Sequence, residues 1–392
     1  MKSLRFASTA LAVTLAQVLF VPATAARTEF TNAAQPQLAA TTDGRVWLVY
    51  VQTVEASVVA QGSGHDHQQA AAPEGNKGKK GGHGPQGRSG DLFVACSIDG
   101  GATFSAPVKV AHVPQLMVGN RRGPRIAAQG DRITVTAIAH ELIAFTSNDR
   151  GKTWGQPVTI NDVPNSAREG LHDLAGSSGG ELFVTWLDLR NEKTELWAAG
   201  SKDGGRTWTK NDPIYKSPDK SICECCHPSA LFDAEDNLAV MWRNSIAGSR
   251  DMWLMTRARG SARFTPARKL GEGTWKINGC PHDGGTLVGL GDGKFGAVWQ
   301  RSGEVFLTRD QDAEFKLGKG RQPAVTNGAA PLVIWNDGTD LVVMRDLRGA
   351  QPTQRVGDAR FPCVVALPDG RGAVVAYERG PRGSTSIAVE RL

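Results

Sequence analysis

The chain has 392 residues, 40% of them hydrophobic, and a formal net charge of +6. Its longest basic block is Lys77 to Lys80, which excludes nucleic acid as an expected partner while leaving room for a local anionic ligand. The length suits two average domains, but an internal repeat replaces that prior with one ring-shaped unit.

In chain order, the first element is an expected export signal over residues 1–25. Lys2 and Arg5 precede an apolar run over residues 7–21, and Ala23-Thr24-Ala25 supplies a small-residue cleavage site. The mature chain is expected from residue 26, in the periplasm or secreted. Beyond the signal no apolar run approaches the roughly 20 residues that cross a bilayer, so no membrane insertion is expected. Six cysteines in an exported chain read first as disulfides.

Seven times thereafter a short apolar strand opens after Pro or a polar loop, near Pro36, Pro124, Leu171, Pro228, Pro281, Pro323 and Pro362. A turn and a second strand follow, carrying Tyr50, Trp186, Trp242, Trp299, Trp335 and Tyr377 at matching places. This pattern predicts an all-β fold, a β-propeller of seven four-stranded blades over residues 26–392. The last repeat supplies three strands, near residues 363–367, 373–378 and 384–391. Residues 27–31 are expected to add the fourth and close the ring. A six-bladed ring stays open as the alternative. In blade one, residues 61–90 form a Gly/Lys-rich insert with His65, His67 and His83. Its composition builds no core and reads as a flexible loop, either a lure for copper, nickel or zinc or an unselected insertion.

Between third and fourth strands an octapeptide recurs: Ser97-Ile-Asp99-Gly-Gly101-Ala-Thr103-Phe104, Ser147-Asn-Asp149-Arg-Gly151-Lys-Thr153-Trp154 and Ser201-Lys-Asp203-Gly-Gly205-Arg-Thr207-Trp208. Asp and Ser are suited to bond turn amides, Gly to supply positive φ, and the aromatic to wedge between blades. Eroded relics lie at residues 256–264 and 308–315. The pattern resembles the Asp-box of the sialidase (BNR repeat) superfamily. That resemblance implies a propeller, six-bladed in the family's enzymes, and an arginine triad that clamps a carboxylate. Arg122-Gly-Pro124 resembles a degenerate form of the family's Phe-Arg-Ile-Pro motif, and Arg321 and Arg360, each two residues before a proline, would complete the triad. The family's tyrosine nucleophile has no counterpart in context among Tyr50, Tyr215 and Tyr377. Glu169 and Asp173 are the candidate acid and base. The opposing reading is that the arginines cap blade ends on Asp188, Asp283 or Glu378, and that the two carboxylates are solvated or salt-bridged.

The segment Cys223-Glu-Cys225-Cys226-His227 opens one blade, and Trp275-Lys-Ile-Asn-Gly-Cys280-Pro-His282-Asp283 opens the next. Four thiols and two imidazoles there suit copper or zinc. The competing reading is a disulfide from Cys280 to Cys223, Cys225 or Cys226. Cys223-x-x-Cys226-His227 also has c-type haem spacing, a weak signal in a segment that runs straight into a strand. Cys96 and Cys363 read as core residues.

Two functions follow as expectations. The first is a sialidase-like propeller binding an anionic glycan or small acidic ligand, an exo-sialidase-like glycoside hydrolase with degenerate machinery if it cleaves. The alternative is a periplasmic metal-binding or redox-associated protein using the Cys/His rim. A platform for a protein partner is a third.

Overall fold

The computed structural model describes residues 27–53, 87–327, 331–345, 354–370, 372–381 and 383–392. The expected signal segment and residues 61–86 of the expected insert lie outside the described residues. Residues 88–90, assigned to the insert from composition, belong to a strand, Arg88–Ser97.

Seven four-stranded antiparallel sheets form the ring. From axis to periphery, blade 1 is Ala34–Ala40, Val46–Thr53, Arg88–Ser97 and Val108–Leu116; blade 2 is Arg125–Gln129, Arg132–Ala139, Glu141–Ser147 and Val158–Thr159. Blade 3 is His172–Gly176, Leu182–Asp188, Glu195–Ser201 and Asp212–Tyr215; blade 4 is Ser229–Phe232, Leu238–Arg243, Met252–Arg257 and Arg268–Lys269. Blade 5 is Gly285–Gly291, Lys294–Arg301, Glu304–Arg309 and Phe315–Lys319; blade 6 is Arg321–Val325, Val333–Asp337, Asp340–Met344 and Gln354–Val356. Blade 7 takes Arg360–Ala366, Ala373–Arg379 and Ser386–Arg391 from the end of the chain and Thr28–Thr31 from its start. Thr28 pairs with Val389 and Thr31 with Ser386, so the expected closure and the seven-blade count are both observed.

The second strands are mostly apolar because each is packed between neighbouring blades. Leu182–Asp188 and Leu238–Arg243 are buried at every residue. Trp186, Trp242, Trp299, Trp335, Tyr50 and Tyr377 are among the largest fully buried side chains. Seven apolar clusters result, one in each gap between blades. The fifth inner strand begins at Gly285, four residues after the proline that marks it in the sequence. The intervening residues form a loop that passes through His282 at φ 51°.

The three octapeptides make one turn each. In the first, the Gly101 amide donates to Ser97 Oγ at 2.7 Å, and the Thr103 amide and hydroxyl donate to Asp99 at 2.9 and 2.6 Å. Gly101 holds φ 87°, and a Cβ there would meet Val374 of blade 7 at 2.3 Å. Glycine is therefore required twice, for the turn and for the approach of the neighbouring blade. The relic at residues 256–264 has lost the carboxylate but keeps the backbone closure, Thr265 N–H to Thr256 O at 2.7 Å.

Near the axis three inner strands carry a bulge before their proline, between Ala34 and Gln37, Arg321 and Ala324, and Arg360 and Cys363. The residue at each bulge, Gln35, Gln322 or Phe361, has φ of 57°, 56° or 48°. This turns its N–H toward another blade. Gln35 donates to Glu378 at 2.7 Å, Gln322 to Asp283 at 2.7 Å and Phe361 to Gln322 Oε1 at 3.1 Å. Blades are thus sewn together at the axis by main-chain donors that regular pairing leaves free.

Candidate functional site

In a four-stranded antiparallel blade, the connection from an outer strand to the next inner strand emerges on the face opposite the third-to-fourth-strand turn. The cysteine segment is such a connection, between Asp212–Tyr215 and Ser229–Phe232, so it lies on the face away from the Asp-box turns. Two main-chain bonds fix its start: Ile222 N–H to Thr194 O and Cys223 N–H to Arg243 O, both 3.0 Å. The chain then folds back on itself and brings three sulfurs together. Sγ of Cys223 lies 3.7 Å from that of Cys225 and 3.3 Å from that of Cys226, with 4.0 Å between the last two. Cys223, Cys225 and Cys226 are 0%, 5% and 1% exposed and form a cluster of their own, separate from the seven inter-blade cores.

These distances have a direct chemical reading. A sulfur–sulfur bond is about 2.05 Å, and all six cysteines are free thiols. Thiolates about 2.3 Å from a shared metal are about 3.8 Å apart in a tetrahedral site, or about 4.0 Å in a trigonal one. Two of the observed edges, 3.7 and 4.0 Å, match these values, and the third, at 3.3 Å, is shorter. The three atoms also lie within 4.8 Å of one another.

The surroundings of the triangle favour thiolate at one of its three sulfurs. Cys223 is held well below the ordinary thiol range by hydrogen bonds from Cys225 and Cys226, assisted by the positive charges of Arg250 and Arg243. Cys225 is pushed up because it donates to Cys223, and Cys226 because it is buried. Cys280 is exposed, on the connection into blade 5, and lies outside the three-sulfur group; the Cys225 thiol chiefly lowers its thiol to about 7. Arg122 adds a third guanidinium that senses Cys225, Cys280 and Cys226.

The sequence grouped six ligands, and the structure draws three of them, Cys223, Cys225 and Cys226, into one cluster. His227 turns away. Its ring packs where a Cβ on Gly284 would sit, 2.6 Å from its Cε1. Burial, reinforced by the charges of Arg121 and Arg125, keeps it neutral. His282 follows Cys280 by two residues and is not part of the three-thiol group. The haem-like spacing is therefore split, its two thiols in the cluster and its imidazole against blade 5.

The three triad candidates are engaged separately. Arg122 donates to the Glu169 carbonyl at 2.6 Å, Arg321 to the Pro281 carbonyl at 3.1 Å and Arg360 to the Gly380 carbonyl at 2.5 Å. Glu169 lies 3.8 Å from Arg122, with its carboxyl raised by burial. Asp173 pairs instead with Arg125 at 3.2 Å and accepts the Ala230 amide of blade 4 at 2.9 Å. Asp173 is thus an axial brace across three blades.

Further arginines brace the ring. Arg121 reaches across the ring to the Gln322 carbonyl at 2.8 Å. Arg243 donates to carbonyls of Asp283 and Gln300, at 3.1 and 2.8 Å. The available signal was the crowding of Arg121, Arg122 and Arg125 into five residues.

Compared with solved structures, the chain matches Trypanosoma rangeli sialidase with a TM-score of 0.53 and 13% identity, over 92% of this chain and 55% of that one. The same sialidase in complex with the inhibitor DANA matches with a TM-score of 0.52 and 12% identity, over 92% and 55%. The chain has a sialidase-like propeller fold. Penicillium chrysogenum alpha-L-arabinanase complexed with arabinobiose gives a TM-score of 0.49 and 13% identity, over 68% of this chain and 92% of that one. The chain thus spans about half the length of the sialidase chain that it matches. No protein-family model and no curated protein matches the sequence.

Proposed function

We propose that this protein is an exported propeller whose rim holds a thiophilic metal ion, Cu(I) or Zn(II), on Cys223, Cys225 and Cys226. The observation that carries the reading is the buried triangle of sulfurs at 3.3, 3.7 and 4.0 Å. Soft thiolates select these ions, and the guanidinium groups of Arg250, Arg243 and Arg122 offset the negative charge of three thiolates.

Hydrolysis by the mechanism of the resembled family lacks its nucleophile. Tyr50 is 1% exposed, with burial pushing its hydroxyl up to about 12. Tyr377 is buried and donates to Glu390 at 2.5 Å. The Tyr215 hydroxyl accepts from Asn244 at 2.7 Å while its ring packs on Trp242 at 4.4 Å. An anionic sugar on Arg122, Arg321 and Arg360 is the competing reading. It would have to use the N–H donors that these side chains do not already spend on main-chain carbonyls.

The test is metal content by elemental mass spectrometry, on untagged protein loaded anaerobically with Cu(I) or Zn(II) and desalted. About one equivalent is expected on the native chain, and less than a tenth of that on Cys223→Ser and on Cys226→Ser. Native protein that retains no metal but binds sialic acid in calorimetry, with binding lost in Arg321→Ala, would replace this reading with the sugar one.

A further inference from the structure

One edge of the sulfur triangle is not explained by a metal. Cys223 and Cys226 stand 3.3 Å apart, against 3.7 and 4.0 Å on the other two edges, whereas thiolates on one shared ion are spaced by about 3.8–4.0 Å. The short edge leads instead toward a disulfide, whose S–S bond is about 2.05 Å.

The backbone selects the same pair. Glu224 and Cys225 form a turn, with Cys223 and Cys226 at its two ends. The Cα atoms at the ends of such a turn lie within about 7 Å, and those of bridged cysteines lie about 4.4–6.8 Å apart. Cys225 and Cys226 are joined by a trans peptide, which holds their Cα atoms about 3.8 Å apart, below that range. Cys223 and Cys225 have the longer sulfur separation. Burial then limits the oxidant: Cys223 is 0% and Cys226 1% exposed, so a folded protein disulfide is too large to reach them, while local opening of the rim admits a peroxide.

We propose that Cys223 and Cys226 are a redox pair, closed to a disulfide by hydrogen peroxide, and that closure shuts the metal site. The disulfide needs no metal; its effect on loading rests on the metal reading above. One sulfur of the pair attacks a peroxide oxygen, the O–O bond breaks, and the departing hydroxide takes that thiol's proton and leaves as water. The second sulfur attacks the sulfenic acid so formed. The S–S bond forms, the S–O bond breaks, and a second water leaves with the second thiol's proton. Two electrons pass from sulfur to peroxide, and a small thiol reverses the reaction by exchange. In the closed form two of the three sulfurs are no longer thiolates, the form that binds metal.

The test starts from reduced, metal-free full chain titrated with hydrogen peroxide, its thiols counted under denaturation. A loss of two thiols is expected, both restored by dithiothreitol. Cleavage at Glu224 without reduction should leave the Cys223 fragment joined to the one carrying Cys225 and Cys226, and fragmentation between those two residues should place the link on Cys226. Cys225→Ser is expected to form the link at the native rate, and Cys226→Ser roughly tenfold more slowly or not at all. Equal rates or the reverse order would overturn the pairing, as would thiol loss to sulfinic acid with no link. Zn(II) uptake separates the two claims: the reduced chain is expected to bind about one equivalent and the oxidised chain roughly tenfold less. Equal uptake by both forms would overturn the gate. A reduced chain that binds neither Zn(II) nor Cu(I) but forms the link would remove the metal reading and the gate with it, and leave the redox pair standing.

Discussion

Asp99 shows how much of this ring hangs on single carboxylates. It accepts from the Thr103 hydroxyl and amide and from the Ser97 hydroxyl at 2.6 to 2.9 Å, and the Thr103 hydroxyl chiefly holds it at about 2, below the ordinary 3.8. Asp149 and Asp203 are lowered likewise to about 2. A carboxylate whose folded value is depressed adds stability that is fully present above the ordinary value and is lost as pH falls toward the folded one. Stability is therefore expected to decline between about pH 4 and pH 2, and a triple Asp→Asn variant to flatten that decline in urea titrations at each pH. Asp99→Ala should cost about 1 kcal/mol, the net worth of a turn hydrogen bond or two near solvent. Asp173 differs in kind. Burial raises its carboxyl despite Arg125, so its contribution has the opposite sign and weakens as pH rises through its folded value. Asp173→Ala leaves Arg125 buried without its partner and should cost about 3–5 kcal/mol, read as a lower urea midpoint. A smaller loss for Asp173→Asn, which keeps an acceptor for the Ala230 amide, would separate the brace from a catalytic base.

Among the elements, the strand Thr28–Thr31 has the clearest job. It covers the edge of Ser386–Arg391 and places Phe30 against Tyr50 and Phe104, with ring centroids at 5.3 and 6.0 Å. Phe30→Ala should cost about 3–5 kcal/mol, and a chain lacking residues 27–31 should melt lower still and associate through its open edge. An unchanged melting temperature in the deletion would contradict the closure. This strand and the seven repeats were legible because alternation, turn residues and the octapeptides all report local structure. The pre-proline bulges were not, since Gln35, Gln322 and Phe361 share a conformation but no side-chain chemistry. Which arginines face the axis was hidden for the same reason: Arg121 adopts φ 67°, which sends it and its neighbour Arg122 to different partners. His227 looked like a ligand because it follows Cys226, yet adjacent residues entering a strand point to opposite sides. The thiols, by contrast, were legible as a group because a three-residue reach keeps them together in almost any turn.

For the whole molecule, the ring separates two kinds of loop. Asp-box turns, built from short hydrogen bonds, lie on one face. The longer connections between blades lie on the other, where the cysteine segment and the loop carrying Cys280 meet at the opening of blades 4 and 5. Inter-blade cores and axial braces make that meeting point rigid without using a single one of the three clustered cysteines. The fold is shared with sialidases, and the three-thiol cluster sits at the rim of that fold. Metal bound by the cluster through sulfur would show in X-ray absorption at the metal edge of the loaded protein: three to four sulfur neighbours at about 2.2–2.3 Å are expected, with the sulfur shell lost in Cys226→Ser. A shell of nitrogen and oxygen neighbours at about 2.0 Å, unchanged in that variant, would contradict it.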